Sequence, residues 1–393
     1  MSGKLTRRGF VAAAAVTGAG AGGGAYGLFE WLTSGTSSAQ PARQHAWDAV
    51  LERDAHGNAV APRHARLVFF DVRGRPTVES ARTLEGALRA LERRYPWGPQ
   101  GLLFLVGWGP SYFERSLGVR SPVPRPEPLS TFELPKLDDY GVCIHLACND
   151  EQRIDTVTGW LVQDVHLALA PREIRTGFVG ARLPAAHQDV SGIPSGRPVP
   201  EAAPLYMGFK SGFTKNQASE DDVTITAGPL AGGTTMHVSR MRLRLDSWYG
   251  LLDEGQRVAR MFAPQVRPGQ VARFTTDAPS EPGRIDQAAS RFGVVGHAQA
   301  SAVARRNGRP LILRRDFDSV DGGEAGLHFV ALQRSIDDFV TTRKAMNAAR
   351  ASYLNPAITE TVNNGINEFI FVTHRANYVV PPRAQRSFPL LHA

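Results

Sequence analysis

The stretch "ARLVFFDVRGRPTVESARTLEGALRALERRY", residues 65–95, sets the architecture expected of the whole chain. Residues 65–74 alternate and are rich in β-branched and aromatic side chains, as in a strand packed on one face. After a Gly/Pro turn, Ala81, Leu84, Leu88 and Leu91 recur at helical spacing, which predicts an amphipathic helix. The pattern then repeats. "QGLLFLVGWGPSYFERSLG" (100–118) reads as a buried strand running into a Gly/Pro turn and a short helix, "YGVCIHLACND" (140–150) as a strand, and "EQRIDTVTGWLVQDVHLAL" (151–169) as a second helix. The order β-α-β, β-α-β is that of a ferredoxin-like unit, with helices on one face of an antiparallel sheet.

A Pro/Gly-rich connection (181–204) separates this half from a second of similar order. There, 232–249 reads as a strand, 253–262 as a helix, 325–333 as a strand, and both 335–349 and 358–373 as helical. The fold class expected is therefore α+β, two ferredoxin-like halves with helices on the outer faces. The boundaries read are a leader (1–39), a polar linker (40–63), a first half (64–200), a second half (201–383) and a tail (384–393). No sequence repeat is visible, so the duplication rests on element order.

With 393 residues, 42% of them hydrophobic, the chain can bury a large core. The net charge of +8 comes from scattered arginines. No basic stripe is interleaved with aromatics, which argues against a nucleic-acid partner. Cys143 and Cys148 lie five positions apart, on opposite faces if 140–150 is a strand, so neither a bridge nor a CxxC metal site is expected. At the N-terminus, "KLTRRGFVAAAAVTGAGAGGGAYGLFEW" (4–31) resembles a twin-arginine export signal: an arginine pair, a nearby Phe and a weakly hydrophobic Ala/Gly run. Small residues at 37–39 offer a cleavage site. That leader implies passage through the twin-arginine translocase and an extracytoplasmic location, with the signal either removed or kept as an anchor.

His297, in "VVGHAQASAVARRNGRPLILRRDFDS" (294–319), admits two readings: a core imidazole in an ordinary strand, or a metal ligand. It has no HExxH companion and no second His four residues on, so a zinc site made by protein alone is not expected. One imidazole suffices where a porphyrin supplies the remaining equatorial ligands. The span 296–340, with its "ILRR" strand, acidic Gly-rich loop and "GLHFVALQ", resembles the C-terminal half of dye-decolorising (DyP-type) peroxidases. "GINEFIFVTHRANYVVPPR" (365–383), "GGTTMHVSRMRLRLDSW" (232–248), "LVGWGPSYFER" (105–115) and "DDYGVCIHLACND" (138–150) are similar to further family segments in the same order.

This resemblance implies haem b bound in the second half, His297 as the proximal iron ligand and Arg314 as the distal arginine, with Arg315 the alternative if the register slips by one. It places Glu368 as acceptor of the His297 N–H. Hydrogen peroxide and a small-molecule reductant would be the substrates, and family members often form homo-oligomers. Where the family has Gly-x-x-Asp-Gly, this chain has Gly208-Phe209-Lys210-Ser211-Gly212. The glycines keep their spacing, but Ser211 stands where the proton-shuttling aspartate is expected. Serine cannot act as a carboxylate base, though it can hydrogen-bond a distal water. Glu220, Asp221 and Asp222 are the acidic residues near enough in sequence to fold back in its place. Trp248 and Tyr249 read either as surface oxidation sites or as core. Three functions stay open: an exported haem peroxidase, a haem-binding protein without turnover (storage, carrier or sensor), and a fold relic without haem.

Overall fold

The computed structural model describes residues 40–269 and 284–391; the export-signal reading falls outside them. In the first half, β1 (His64–Val72) leads into α1 (Val78–Arg94), then β2 (Leu103–Trp108), β3 (Val142–Cys148), α2 (Glu151–Gln163) and β4 (Leu169–Phe178). Helix α1 starts where the sequence offers a start: the Thr77 hydroxyl accepts the Ser80 N–H, and Ser80 returns the bond to the Thr77 N–H. β4 is the strand that the periodicity did not announce. It carries Pro171 at an irregularity in its pairing with β1, so its alternation is broken.

In the second half, β5 (Thr234–Leu243) is followed by α3 (Leu245–Gly250), α4 (Glu254–Met261), α5 (Ile285–Phe292) and α6 (His297–Ser301). β6 (Leu313–Arg314), β7 (Phe317–Ser319), β8 (Gly326–Gln333), α7 (Ile336–Ala345) and β9 (Ile370–Val380) complete it. Two expectations are corrected here. Residues 245–249 turn into a helix instead of extending the strand, and 358–373 is a series of turns entering β9 instead of a helix. Gly365, at φ +55°, breaks that second segment, and the β-branched run after it pairs with β5.

The strand order is β7-β4-β1-β3-β2-β9-β5-β8-β6, and β7 also pairs with β8, which closes the ring. Within it the first half runs β4-β1-β3-β2 and the second β9-β5-β8-β6, the same antiparallel order twice. The α+β fold of two ferredoxin-like halves is thus present in topology. Alternation sorts the side chains. Leu67, Phe69, Leu105, Met236, Val238 and Tyr378 fill the space between the halves, while Val68, Phe70, Phe104 and Val106 face outward under Leu84 and Leu88 of α1 and Ile154 of α2. Cys143 and Cys148 fall on opposite faces and are free.

The segments read as linker and tail are part of the packing. Trp47 is buried against the inner core, and the Gln44 carboxamide bonds the Val106 N–H and the Pro381 carbonyl. At the other end, Phe388 packs on Trp108, and Arg386 is buried against Glu85 and Glu92.

Candidate functional site

The outer face of the second half is not sealed as the first is. Met241 and Leu243 of β5, Leu327 and Phe329 of β8 and Ile370 of β9 line a cavity of about 1250 Å³, counting its part open to solvent. Its far wall comes from the long crossover between β5 and β6, which returns at His297.

His297 begins α6, so the ordinary-strand reading does not hold. Its place is fixed by two glycines. A Cβ on Gly296 would lie 1.9 Å from the Phe262 carbonyl oxygen, and one on Gly365 would lie 2.9 Å from the His297 Cα. The backbone can therefore approach from both sides only where side chains are missing. The imidazole lines the cavity and makes no hydrogen bond to any described residue. Burial, reinforced by the charges of Arg314 and Arg343, pulls it from 6.5 down to about 3. It is neutral at physiological pH and keeps a lone pair for a ligand.

Glu368 does not sit where the resemblance implied. It lies 3.8 Å from the Arg260 guanidinium, partly exposed, and no hydrogen bond joins it to His297. The polar neighbour from that segment in the cavity wall is Asn367, whose amide donates to the Met346 and Glu360 carbonyls.

Strand alternation divides the arginine pair. Arg314 faces the cavity, its backbone clasped by Gln217: the Arg314 N–H donates to Oε1 at 2.8 Å and its carbonyl accepts from Nε2 at 3.0 Å. No carboxylate among the described residues pairs with it. Arg315 is buried on the other side, its guanidinium 3.8 Å from the Trp47 ring centroid and bonded to the His45 carbonyl and Glu220. Burial, opposed by Glu220, draws Arg315 down to about 10.

The 208–212 turn exists because Gly208 (φ +87°) and Gly212 (φ +80°) supply the left-handed conformations at its ends. It places Lys210 and Ser211 between the cavity and a second one, lined also by Trp47, His145 and Phe317. Lys210 is held by Asp54 at 2.5 Å. The Ser211 hydroxyl has no hydrogen-bond partner among the described residues. Trp248 and Tyr249, offered by the sequence as oxidation sites, brace this turn instead. The indole N–H donates to the Met207 carbonyl and the phenol to that of Tyr206.

None of the expected acidic substitutes reaches the cavity. Glu220 accepts the Trp47 and Asp48 N–H groups, Asp221 pairs with Arg43, and Asp222 pairs with Arg309. The carboxyls that do line it are Asp316 and Asp318, two and four residues beyond Arg314 on the same face. Period-two counting from Arg314 was the available signal. Burial holds Asp318 well above the usual carboxylate range, against the Tyr206 N–H that donates to it at 2.6 Å. Deeper in, Arg343 and Arg375 share the buried Glu133, each at 2.7 Å.

The sequence profile of a family of unknown function, DUF7405, matches residues 62–382. The chain belongs to DUF7405. No curated protein matches it. Solved structures similar to this DUF7405 chain include a dye-decolorizing protein from V. cholerae, 16% identical with a TM-score of 0.56, covering 87% of this chain and 99% of that one. A DypB variant from Rhodococcus jostii in complex with heme is 14% identical with a TM-score of 0.60, over 88% and 98%. A DyP-type peroxidase from Cellulomonas bogoriensis is 21% identical with a TM-score of 0.57, over 84% and 92%. The DUF7405 chain therefore has the fold of DyP-type peroxidases.

Proposed function

We propose that this chain is a haem-binding, peroxidase-type oxidoreductase, exported by the twin-arginine route, that uses hydrogen peroxide to oxidise a small organic reductant. One observation carries the reading: a neutral imidazole and a guanidinium, with no hydrogen-bond partner and no paired carboxylate respectively among the described residues, line the same largely apolar cavity. Among the described residues no group of three or more His, Cys, Asp or Glu could hold a bare ion. A porphyrin brings four ligands and needs only one imidazole from the protein. The residues fit that group.

Bound haem would supply an iron centre able to exchange electrons with peroxide. The protein's own part is to hold and to polarise. His297 would grip the iron through its free nitrogen. Arg314, fixed by Gln217, would favour the anionic form of peroxide, since a guanidinium stays charged and presents several donors. Ser211 would hydrogen-bond a water or peroxide oxygen beside it. With the cavity filled, its largely apolar lining would leave little room for water beside these charges and so strengthen them.

Purified protein supplied with haem should develop a Soret band, and His297→Ala should lose it while staying folded by circular dichroism. A wild-type protein without the band would end this reading. Ser211 supports a second reading, in which haem is held without turnover. Mixing haem-loaded protein with peroxide and an oxidisable dye separates the two: dye bleaching favours the enzyme, and inert protein favours the carrier.

A further inference from the structure

None of the residues expected to move a proton can do so here, because Ser211 is no base and Glu220, Asp221 and Asp222 are engaged elsewhere. Asp316 differs from every other carboxylate near the cavity. It stands two residues beyond Arg314, in the link between β6 and β7, and lines both cavities together with Lys210, Ser211 and Arg314. Its Oδ1 is buried and has no hydrogen-bond partner among the described residues. A buried carboxylate oxygen without a donor is costly, by about 1–3 kcal/mol, unless a ligand or substrate completes it. Its neighbour Asp318 is already committed to the Tyr206 N–H.

We propose that Asp316 is the acid–base residue of this site, taking the work that Ser211 cannot do. The assignment rests on the peroxidase reading above. The step is a proton relay: the Asp316 carboxylate takes a proton from one oxygen of hydrogen peroxide and returns it to the other, which leaves as water with both protons. Bound haem would supply the two electrons for O–O cleavage, and Arg314 would hold the peroxide anion beside Asp316. Asp316 ends as it began. The charged and titratable groups sharing its cavities are Lys210, His297, Arg314, Asp318, Arg343 and Arg375 on one side, and Asp48, His145 and Arg315 on the other. Arg314 precedes it by two residues at the end of β6, and Lys210 lines the same two cavities from the 208–212 turn.

The test compares wild type, Asp316→Asn and the double variant Asp316→Asn/Ser211→Asp, each loaded with haem. Asp316→Asn should keep the Soret band and haem affinity but slow the reaction with peroxide by about 10²–10⁴-fold. It should also weaken cyanide binding by about tenfold or more, because hydrogen cyanide must give its proton to a base on binding. The double variant, with a carboxylate restored nearby, should regain part of both. If Asp316→Asn matches wild type in peroxide rate and cyanide affinity, the assignment is overturned while the peroxidase reading stands. If wild type itself takes up no haem, both fall together.

Discussion

The two halves of the ring share one strand order and treat their outer faces in opposite ways. In the first, a single amphipathic helix crosses between β1 and β2 and lays Leu84 and Leu88 onto Phe104 and Val106, all fully buried. In the second, residues 244–312 separate β5 from β6, and the equivalent face, Met241, Leu243 and Phe329, looks onto open space. The same topology thus gives a sealed core when the crossover is short and an open cavity when it is long. The long crossover also delivers His297 to the wall. Polar anchors replace apolar packing there: Glu133 ties Arg343 of α7 to Arg375 of β9.

If that contrast is right, the largest loss should follow from the anchor. Glu133→Gln leaves Arg343 and Arg375 without their shared carboxylate in a buried setting, and breaking one side of such a network costs about 3–5 kcal/mol. Urea unfolding should show it, and a loss under about 1 kcal/mol would mean water already compensates the arginines. In the sealed half, Leu88→Ala should cost about 2–5 kcal/mol, as expected where little can collapse into the gap. Its counterpart, Leu327→Ala on the cavity wall, should cost about 1 kcal/mol or less, because that side chain already borders empty space. Equal losses at Leu88 and Leu327 would show that the two faces are packed alike.

The contrast also explains what was legible in the sequence. β1 and α1 could be read directly because their periods are clean and Thr77 marks the helix start. His297 and Arg314, the two residues singled out in the sequence, line one cavity, and alternation sends Arg315 the other way. What was missed depends on tertiary partners. β4 is recognisable only by its pairing with β1 and β7. Residues 358–373 have helical composition, yet Gly365 must pass close against His297 and β9 takes the rest. Glu368 was assigned to His297 by position, whereas Arg260 is its neighbour in space. Asp316 lay two residues from Arg314 in plain view. A buried oxygen without a donor is a property of the folded chain alone.

A last contrast separates both faces from the end of the ring, where the halves meet around Trp47. His45 and His145 are buried there beside Arg315. Burial first, and the Arg315 charge second, pull each from 6.5 to about 3. An unfolded chain takes up protons on these rings near pH 6.5, and the folded chain refuses them until about pH 3. Their stabilising effect is complete above the upper value and is lost progressively as pH falls toward the lower one. The slope is on the order of 1 kcal/mol per pH unit for each ring. His145 stacks near Phe317, and its Nδ1 has no hydrogen-bond partner among the described residues, so His145→Phe should leave stability at neutral pH nearly unchanged. The variant should flatten the decline in urea midpoint between those two values. An unaltered decline would mean that the ring accepts a proton in the folded state, and that the end of the ring is wetter than the sealed face beside it.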